Sequence, residues 1–202
     1  MINGQSVIGI IPARGGSKRV PGKNLRSYKG KVLIEWAIDS AKGSELLDDW
    51  CVSSEDPKIL AKAKSLGAKA IERPQWLATD HAMNEGVLVH LLYTWKWADW
   101  VVLLQPTSPQ RTPEDIDEVI KRAAHNGKGC LTVDEWGKRN GSVYVAKSSW
   151  LISSIAFPRE LDTQHYIIPN HRSLDIDYES DFKGELQTDP PYRALMEKQN
   201  AR

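Results

Sequence analysis

Apolar residues fill positions 7–12 without a break, and such a run predicts a strand. In residues 31–42 the apolar positions change period. Val32, Ile34, Trp36, Ala37, Ile38 and Ala41 recur at spacings compatible with a helix. Residues 50–53 read as a second strand, and Asp56-Pro57 then supplies an N-cap with proline at the first helical position. The helix that follows, residues 59–66, stops at Gly67. A short strand is expected at 68–72, a helix at 84–95 and a strand buried on both sides at 100–105. Thr112-Pro113-Glu114 caps a helix running to Ala124, and strands at 130–133 and 142–145 complete the sheet.

Strands alternating with helices at this spacing predict an α/β fold, a Rossmann-like three-layer sandwich with a mostly parallel sheet and right-handed crossovers. Ligands of such folds sit beyond the carboxyl ends of the strands. Arg14 follows the first strand, Ser53 the second, Arg73 the third and Gln105 the next, so four loops are expected to converge on one crevice.

Length and charge narrow the reading further. The 202 residues suit one domain, expected over 1–188, followed by a polar, proline-led tail at 189–202. With 27 Lys plus Arg against 26 Asp plus Glu, nothing suggests a general surface for nucleic acid or membrane. No apolar run approaches the roughly eighteen residues of a membrane span, and the first five residues lack a secretory pattern, so a cytoplasmic location is expected. Cys51 and Cys130 lie in apolar runs outside any metal-ligand spacing and read as reduced core residues. The chain has eight tryptophans, and Trp95, Trp97 and Trp100, crowded before one strand, are read as core or interface packing.

Candidate chemistry begins where the first strand ends. Gly15, Gly16 and Gly22 let a loop turn sharply and approach a ligand, while Arg14, Lys18, Arg19 and Lys23 surround it with positive charge. Phosphates are the expected guest. The loop is not a Walker A motif: the required first glycine would fall at Ser17, and Asn24 stands where Ser or Thr should hold magnesium. A merely solvated charge run is the competing reading, opposed by the clustered glycines and the strand-to-loop position. Near the other end, Asp175 and Asp177 are spaced by two. In an extended chain both carboxylates project from one face and can ligate one hard cation, with Mg2+ the natural occupant. An Asp-x-Asp of this kind also arises in loops by chance.

Pro12-Ala13-Arg14-Gly15-Gly16-Ser17-Lys18, then Pro21-Gly22-Lys23-Asn24-Leu25, open a series of segments that continues along the chain. Val52-Ser53-Ser54-Glu55-Asp56, Gly67-Ala68, Arg73-Pro74 and Leu77-Ala78-Thr79-Asp80 follow. Then come Val102-Leu103-Leu104-Gln105-Pro106-Thr107-Ser108-Pro109-Gln110-Arg111, Asn140-Gly141-Ser142-Val143-Tyr144 and Leu174-Asp175-Ile176-Asp177. In this order they resemble the CMP-sugar synthetase family, the cytidylyltransferases that activate sialic-type nine-carbon and ulosonic eight-carbon sugar acids. The resemblance spans nearly the whole chain and implies the fold of the nucleotide-diphospho-sugar transferases.

It further implies that the anomeric hydroxyl of a 2-keto sugar acid attacks the α-phosphate of CTP and expels pyrophosphate. Arg14, Ser17 and Lys23 match triphosphate-binding positions, with Lys23 on the α-phosphate, Gly15 in the same loop, and Lys18 a further candidate. Asp175 and Asp177 match a magnesium-binding pair. Asn24, Arg73, Ala82 and Asn84 match positions around cytosine and ribose, with Arg73 suited to the base carbonyl and the Ala82 carbonyl to its amino group. Gln105 matches a position on the sugar acid, and Lys138 or Arg139 a basic position facing the sugar carboxylate. One departure stands out: only residues 134–139 link two strands where sialic-type relatives carry an extended dimerisation arm. The chain is therefore expected to be a monomer, or to dimerise through another surface such as the tryptophan-rich one. The rivals are an enzyme of the eight-carbon ulosonate branch and a nucleotide-binding homologue without catalysis.

Overall fold

The computed structural model describes residues 1–157 and 163–183. The first strand, β1 (Val7–Pro12), has five of six residues buried and lies at the centre of a sheet. It pairs in parallel with β4 (Asp49–Ser54) on one side and β6 (Trp100–Leu104) on the other, and β5 (Lys69–Glu72) joins β4 in parallel. Beyond β6 come β8 (Arg139–Lys147), β7 (Gly129–Val133) and β9 (Gln164–Ile167), giving the order β5-β4-β1-β6-β8-β7-β9. Six of these strands run one way, and β8 runs against both its neighbours.

The helices cover both faces, as alternate residues of β1 and β6 require. Val7, Ile11, Val102 and Leu104 face a core shared with α1 (Leu33–Gly43), α2 (Pro57–Ser65) and α4 (Pro113–Asn126). Ile8, Ile10, Val101 and Leu103 face the other core, with α3 (Asn84–Thr94) and α5 (Ser148–Ser154). The result is the expected three-layer arrangement. The two predicted caps form: the Asp56 side chain accepts from Lys58 N, and Thr112 and Asp115 complete a capping box at α4.

Four features differ from the sequence reading. Lys31–Val32 is not helix; it forms β3, paired antiparallel with β2 (Ser27–Tyr28), so α1 starts two residues late. The strand expected at 142–145 extends over Arg139–Lys147, because tight pairing to both β6 and β7 carries it further. It does not close the sheet, since β9 adds an edge beyond β7, and α5 follows it directly. Of the clustered tryptophans, Trp100 is core and Trp95 packs against the second core, but Trp97 is exposed. Cys51 and Cys130 are buried free thiols. Among the described residues no helix is long and apolar enough to cross a membrane. The tail expected at 189–202 lies outside the described residues.

The chain after β9 matters for position. Arg172 forms a two-pronged ion pair with the fully buried Asp115 on α4, at 2.5 and 3.1 Å, and Tyr166 donates to the same carboxylate at 3.2 Å. Ile176 N then donates to Thr107 O at 2.8 Å, so residues 174–177 lie along the exit of β6.

Candidate active site

Ala13 N donates to Ser53 O at 2.9 Å, which extends the β1–β4 ladder by one residue before the chain turns away as Arg14. A Cβ on Gly15 would fall 2.5 Å from Asp56 Oδ2, so only glycine lets the loop lie against the β4–α2 turn. The Gly15 amide donates to Glu55 Oε1 at 2.7 Å and so does not face the crevice; its place is in packing the loop. Buried Asn24 donates to Arg14 O at 2.8 Å and fixes the other side of the loop. Arg73, also buried, places Nε and Nη2 on Glu55 Oε2 at 3.1 and 3.0 Å.

The cations and the acids predicted from opposite ends of the chain meet. Lys23 Nζ donates to Ile176 O at 2.9 Å and to Asp177 Oδ1 at 3.0 Å, while Arg19 reaches Asp177 Oδ2 at 2.6 Å. Burial would raise the Asp177 pKa, but the hydrogen bonds and charges of Lys23 and Arg19 outweigh it and hold the carboxyl below its ordinary value. Asp175 opens onto the crevice, yet protein surrounds its carboxyl on the other sides; desolvation pushes its pKa up to about 6, against a hydrogen bond from Thr107. Asp181 accepts from the amides of Asp177 and Tyr178 at 2.8 and 2.7 Å and so fixes the turn after the acid pair.

Arg14, Lys23, Asn24, Arg73, Ala82, Asn84, Gln105, Asp175 and Asp177 line one crevice of about 330 Å³ at the carboxyl ends of the parallel strands. Ser17, Lys18 and Arg19 line an adjoining lobe of about 290 Å³ that shares Arg14, Lys23, Asn24 and Asp177 with it. Lys138 and Arg139 are not brought there: both are exposed at the β7–β8 hairpin and outside the crevice lining. The hairpin is tight for a physical reason. Asp134 Oδ1 accepts from the amides of Trp136 and Lys138, both at 2.9 Å, and Asp134 N closes the turn on Lys138 O at 2.8 Å.

Several site residues had no role in the sequence reading. Asp80 lines both lobes and pairs with Arg14 at 2.8 Å and Lys18 at 2.6 Å. Thr107 carries the 174–177 segment, and Gly141, at φ 71°, leaves no room for a Cβ, which would stand 2.7 Å from Gln105 Oε1. Their only signal was membership in the conspicuous segments 77–80, 102–111 and 140–144. Arg111, from the middle one, is buried behind Gln105 and donates to Gln105 O at 3.2 Å and Ser142 O at 2.5 Å.

The donor set suits a hard divalent cation shared with a ligand. Among the described residues no three His, Cys, Asp or Glu side chains cluster as a self-sufficient metal site. Two carboxylates beside a cationic crevice are within the number that magnesium uses when it keeps waters and takes its other ligands from phosphates.

Residues 8–183 match the model of a protein family described as cytidylyltransferase. The CMP-N,N'-diacetyllegionaminic acid synthase of Legionella pneumophila is 30% identical over 210 residues, covering 85% of this chain and 90% of that protein. The N-acylneuraminate cytidylyltransferase of Escherichia coli is 37% identical over 115 residues, 57% of this chain but only 27% of that protein. Among solved structures, a CMP:2-keto-3-deoxy-manno-octonic acid synthetase complexed with CTP superposes with a TM-score of 0.73, covering 96% of this chain and 99% of that one. At 16% identity this last likeness shows the shared fold.

Proposed function

Because the chain belongs to the cytidylyltransferase family and is thus a nucleotidyltransferase, we propose that it transfers CMP from CTP to the anomeric hydroxyl of a sialic-type 2-keto sugar acid. Pyrophosphate is the second product. One observation carries this reading: the cationic loop after β1 and the acid pair at 175 and 177 line a single hollow, although they stand about 150 residues apart in sequence.

In this reading Arg14, Ser17 and Lys23 hold the triphosphate, and Lys23 Nζ sits on the α-phosphate, where negative charge builds as the new oxygen–phosphorus bond forms and the bond to the β-phosphate oxygen breaks. Nucleotidyl transfer asks the protein mainly for position and charge neutralisation, and one well-placed donor contributes about a hundredfold or more. Arg73 and Asn84, with the Ala82 carbonyl, take the base and ribose; buried Arg73, already fixed by Glu55, is a rigid donor for a base carbonyl. Gln105, held by Arg111 and pressed against Gly141, faces the sugar acid.

Asp175 and Asp177 would hold Mg2+, which neutralises phosphate charge and lowers the pKa of the attacking hydroxyl when bound. Asp177 is already ionised by its cationic neighbours, and Asp175 opens to the crevice as a ready ligand. A nine-carbon acceptor is favoured over an eight-carbon one by the near full-length match to the legionaminic acid enzyme. The short hairpin carries no arm, so a second copy would have to dock on another face. A cytoplasmic location, as expected from the sequence, is compatible with this use of CTP.

The deciding measurement is pyrophosphate release by the purified protein with CTP and Mg2+ over sialic, legionaminic, pseudaminic and octulosonic acids. Release is expected with a nine-carbon acid and CTP, and none with UTP. Octulosonic acid as the sole substrate would move the protein to the eight-carbon branch; CTP binding with no release for any acid would leave a binding protein without catalysis.

A further inference from the structure

Asp80 lines both lobes of the crevice, beside the cations proposed above to hold the triphosphate. It presents one carboxylate oxygen to each of two cations: Oδ1 to Arg14 at 2.8 Å and Oδ2 to Lys18 at 2.6 Å. Two acceptor oxygens spread over a guanidinium and an ammonium copy the pattern that a phosphate group would offer the same pair. Arg14 also donates to Thr79 O at 3.3 Å, so the contact ties the cationic loop to the segment that carries Ala82 and Asn84 on the base side of the crevice.

The Lys18 side chain is 82% exposed, so little besides Asp80 fixes it, whereas Arg14, at 37%, is also held by Thr79 O. The two cations hold the Asp80 carboxyl below its ordinary pKa, which keeps it anionic at neutral pH. A triphosphate and the Asp80 carboxylate cannot both lie against these cations without like charges facing each other at close range.

We propose that Asp80 sets nucleotide affinity by standing in for the triphosphate: it holds Arg14 and Lys18 in the nucleotide-free protein, yields both to the incoming phosphates, and reclaims them as pyrophosphate leaves. This rests on the nucleotide reading above. The contact orders the exposed Lys18 and orients Arg14 in advance, at the expense of a competing anion in the pocket.

The test is calorimetric titration of inorganic tripolyphosphate and of CTP into the full chain, with EDTA present so that no metal takes part. Wild type is compared with Asp80→Asn, Asp80→Ala and Asp80→Glu. Because exposed ion pairs of this kind are weak and either variant frees both cations for phosphate, Asp80→Asn and Asp80→Ala should bind tripolyphosphate about three- to tenfold more tightly. Asp80→Glu should stay near wild type, and pyrophosphate should dissociate more slowly from the Asn variant in a stopped-flow chase. Affinity that is equal or weaker in both Asn and Ala variants, with wild type binding normally, overturns the role of Asp80 and leaves the nucleotide reading standing. Wild type that binds neither tripolyphosphate nor CTP overturns the nucleotide reading and this inference with it.

Discussion

Single side chains divide sharply between those that hold the loop and those that face the hollow. Lys23 belongs to the second kind: its ammonium ends on Ile176 O and Asp177, and it belongs to none of the apolar cores. Lys23→Ala should lower the rate of CMP-sugar formation by about a hundredfold or more, while the melting temperature moves by only a few degrees; steady-state assays beside thermal melts check both. Gly141 makes a different prediction. Alanine there would take a left-handed backbone that costs about 1–2 kcal/mol, and its Cβ would push Gln105 Oε1 aside. The KM for the sugar acid should rise with that for CTP unchanged, a split that kinetics with each substrate varied in turn would reveal. The loop cations could be read from sequence because glycine, charge and strand end coincide in a dozen residues. Asp80 and Gly141 could not, because their meaning lies in residues they meet across the fold. Lys138 and Arg139 fit a charge argument, but Asp134 bends the hairpin so that both stay in solvent.

Elements were legible in proportion to their burial and their caps. The strand β1 and the helices α2 and α4 announced themselves through apolar runs, Asp56-Pro57 and Thr112-Pro113. In contrast, β9 is the mostly exposed sequence Gln164–Ile167 at a sheet edge, and α5 is a serine-rich stretch of seven residues, so neither carries a periodic signal. Their value is in what they anchor. Arg172→Ala should cost about 3 kcal/mol in denaturant unfolding, because Asp115 is left buried on α4 with one charge unanswered. The β4 end of the sheet makes a pH prediction. Burial would raise the Asp49 pKa, but Lys69, Lys96 and the Trp50 amide together draw it below its ordinary value. Its ion pairs therefore stabilise the fold above about pH 4 and are lost as pH falls through the lower folded value. Asp49→Asn should be less stable than wild type by about 1 kcal/mol at pH 7, with the two melting curves merging toward pH 3.

On the scale of the whole molecule, a net charge of only +1 hides an uneven distribution. Arg14, Lys18, Arg19 and Lys23 collect around one lobe against only Asp80 and Asp177, so the lobe is locally net positive although the surface is balanced. CTP association should slow several-fold between about 0.05 and 0.2 M salt, where screening shortens toward the width of the crevice; a salt-independent rate in stopped-flow would contradict this. The topology was legible as a mostly parallel α/β sheet, yet the reversal of β8 was also there to be read. Parallel neighbours need a crossover of about a dozen residues or more, and the five between β7 and β8 permit only a hairpin.

The tether of Ile176 to Thr107 bears on how the protein comes into being. The elements β1, β4 and β6 and the glycine-rich loop all precede Asp175 in the order of synthesis, so the acid pair is the last part of the crevice to be made. A chain that stops short of residue 174 carries the cationic loop without its acidic partner.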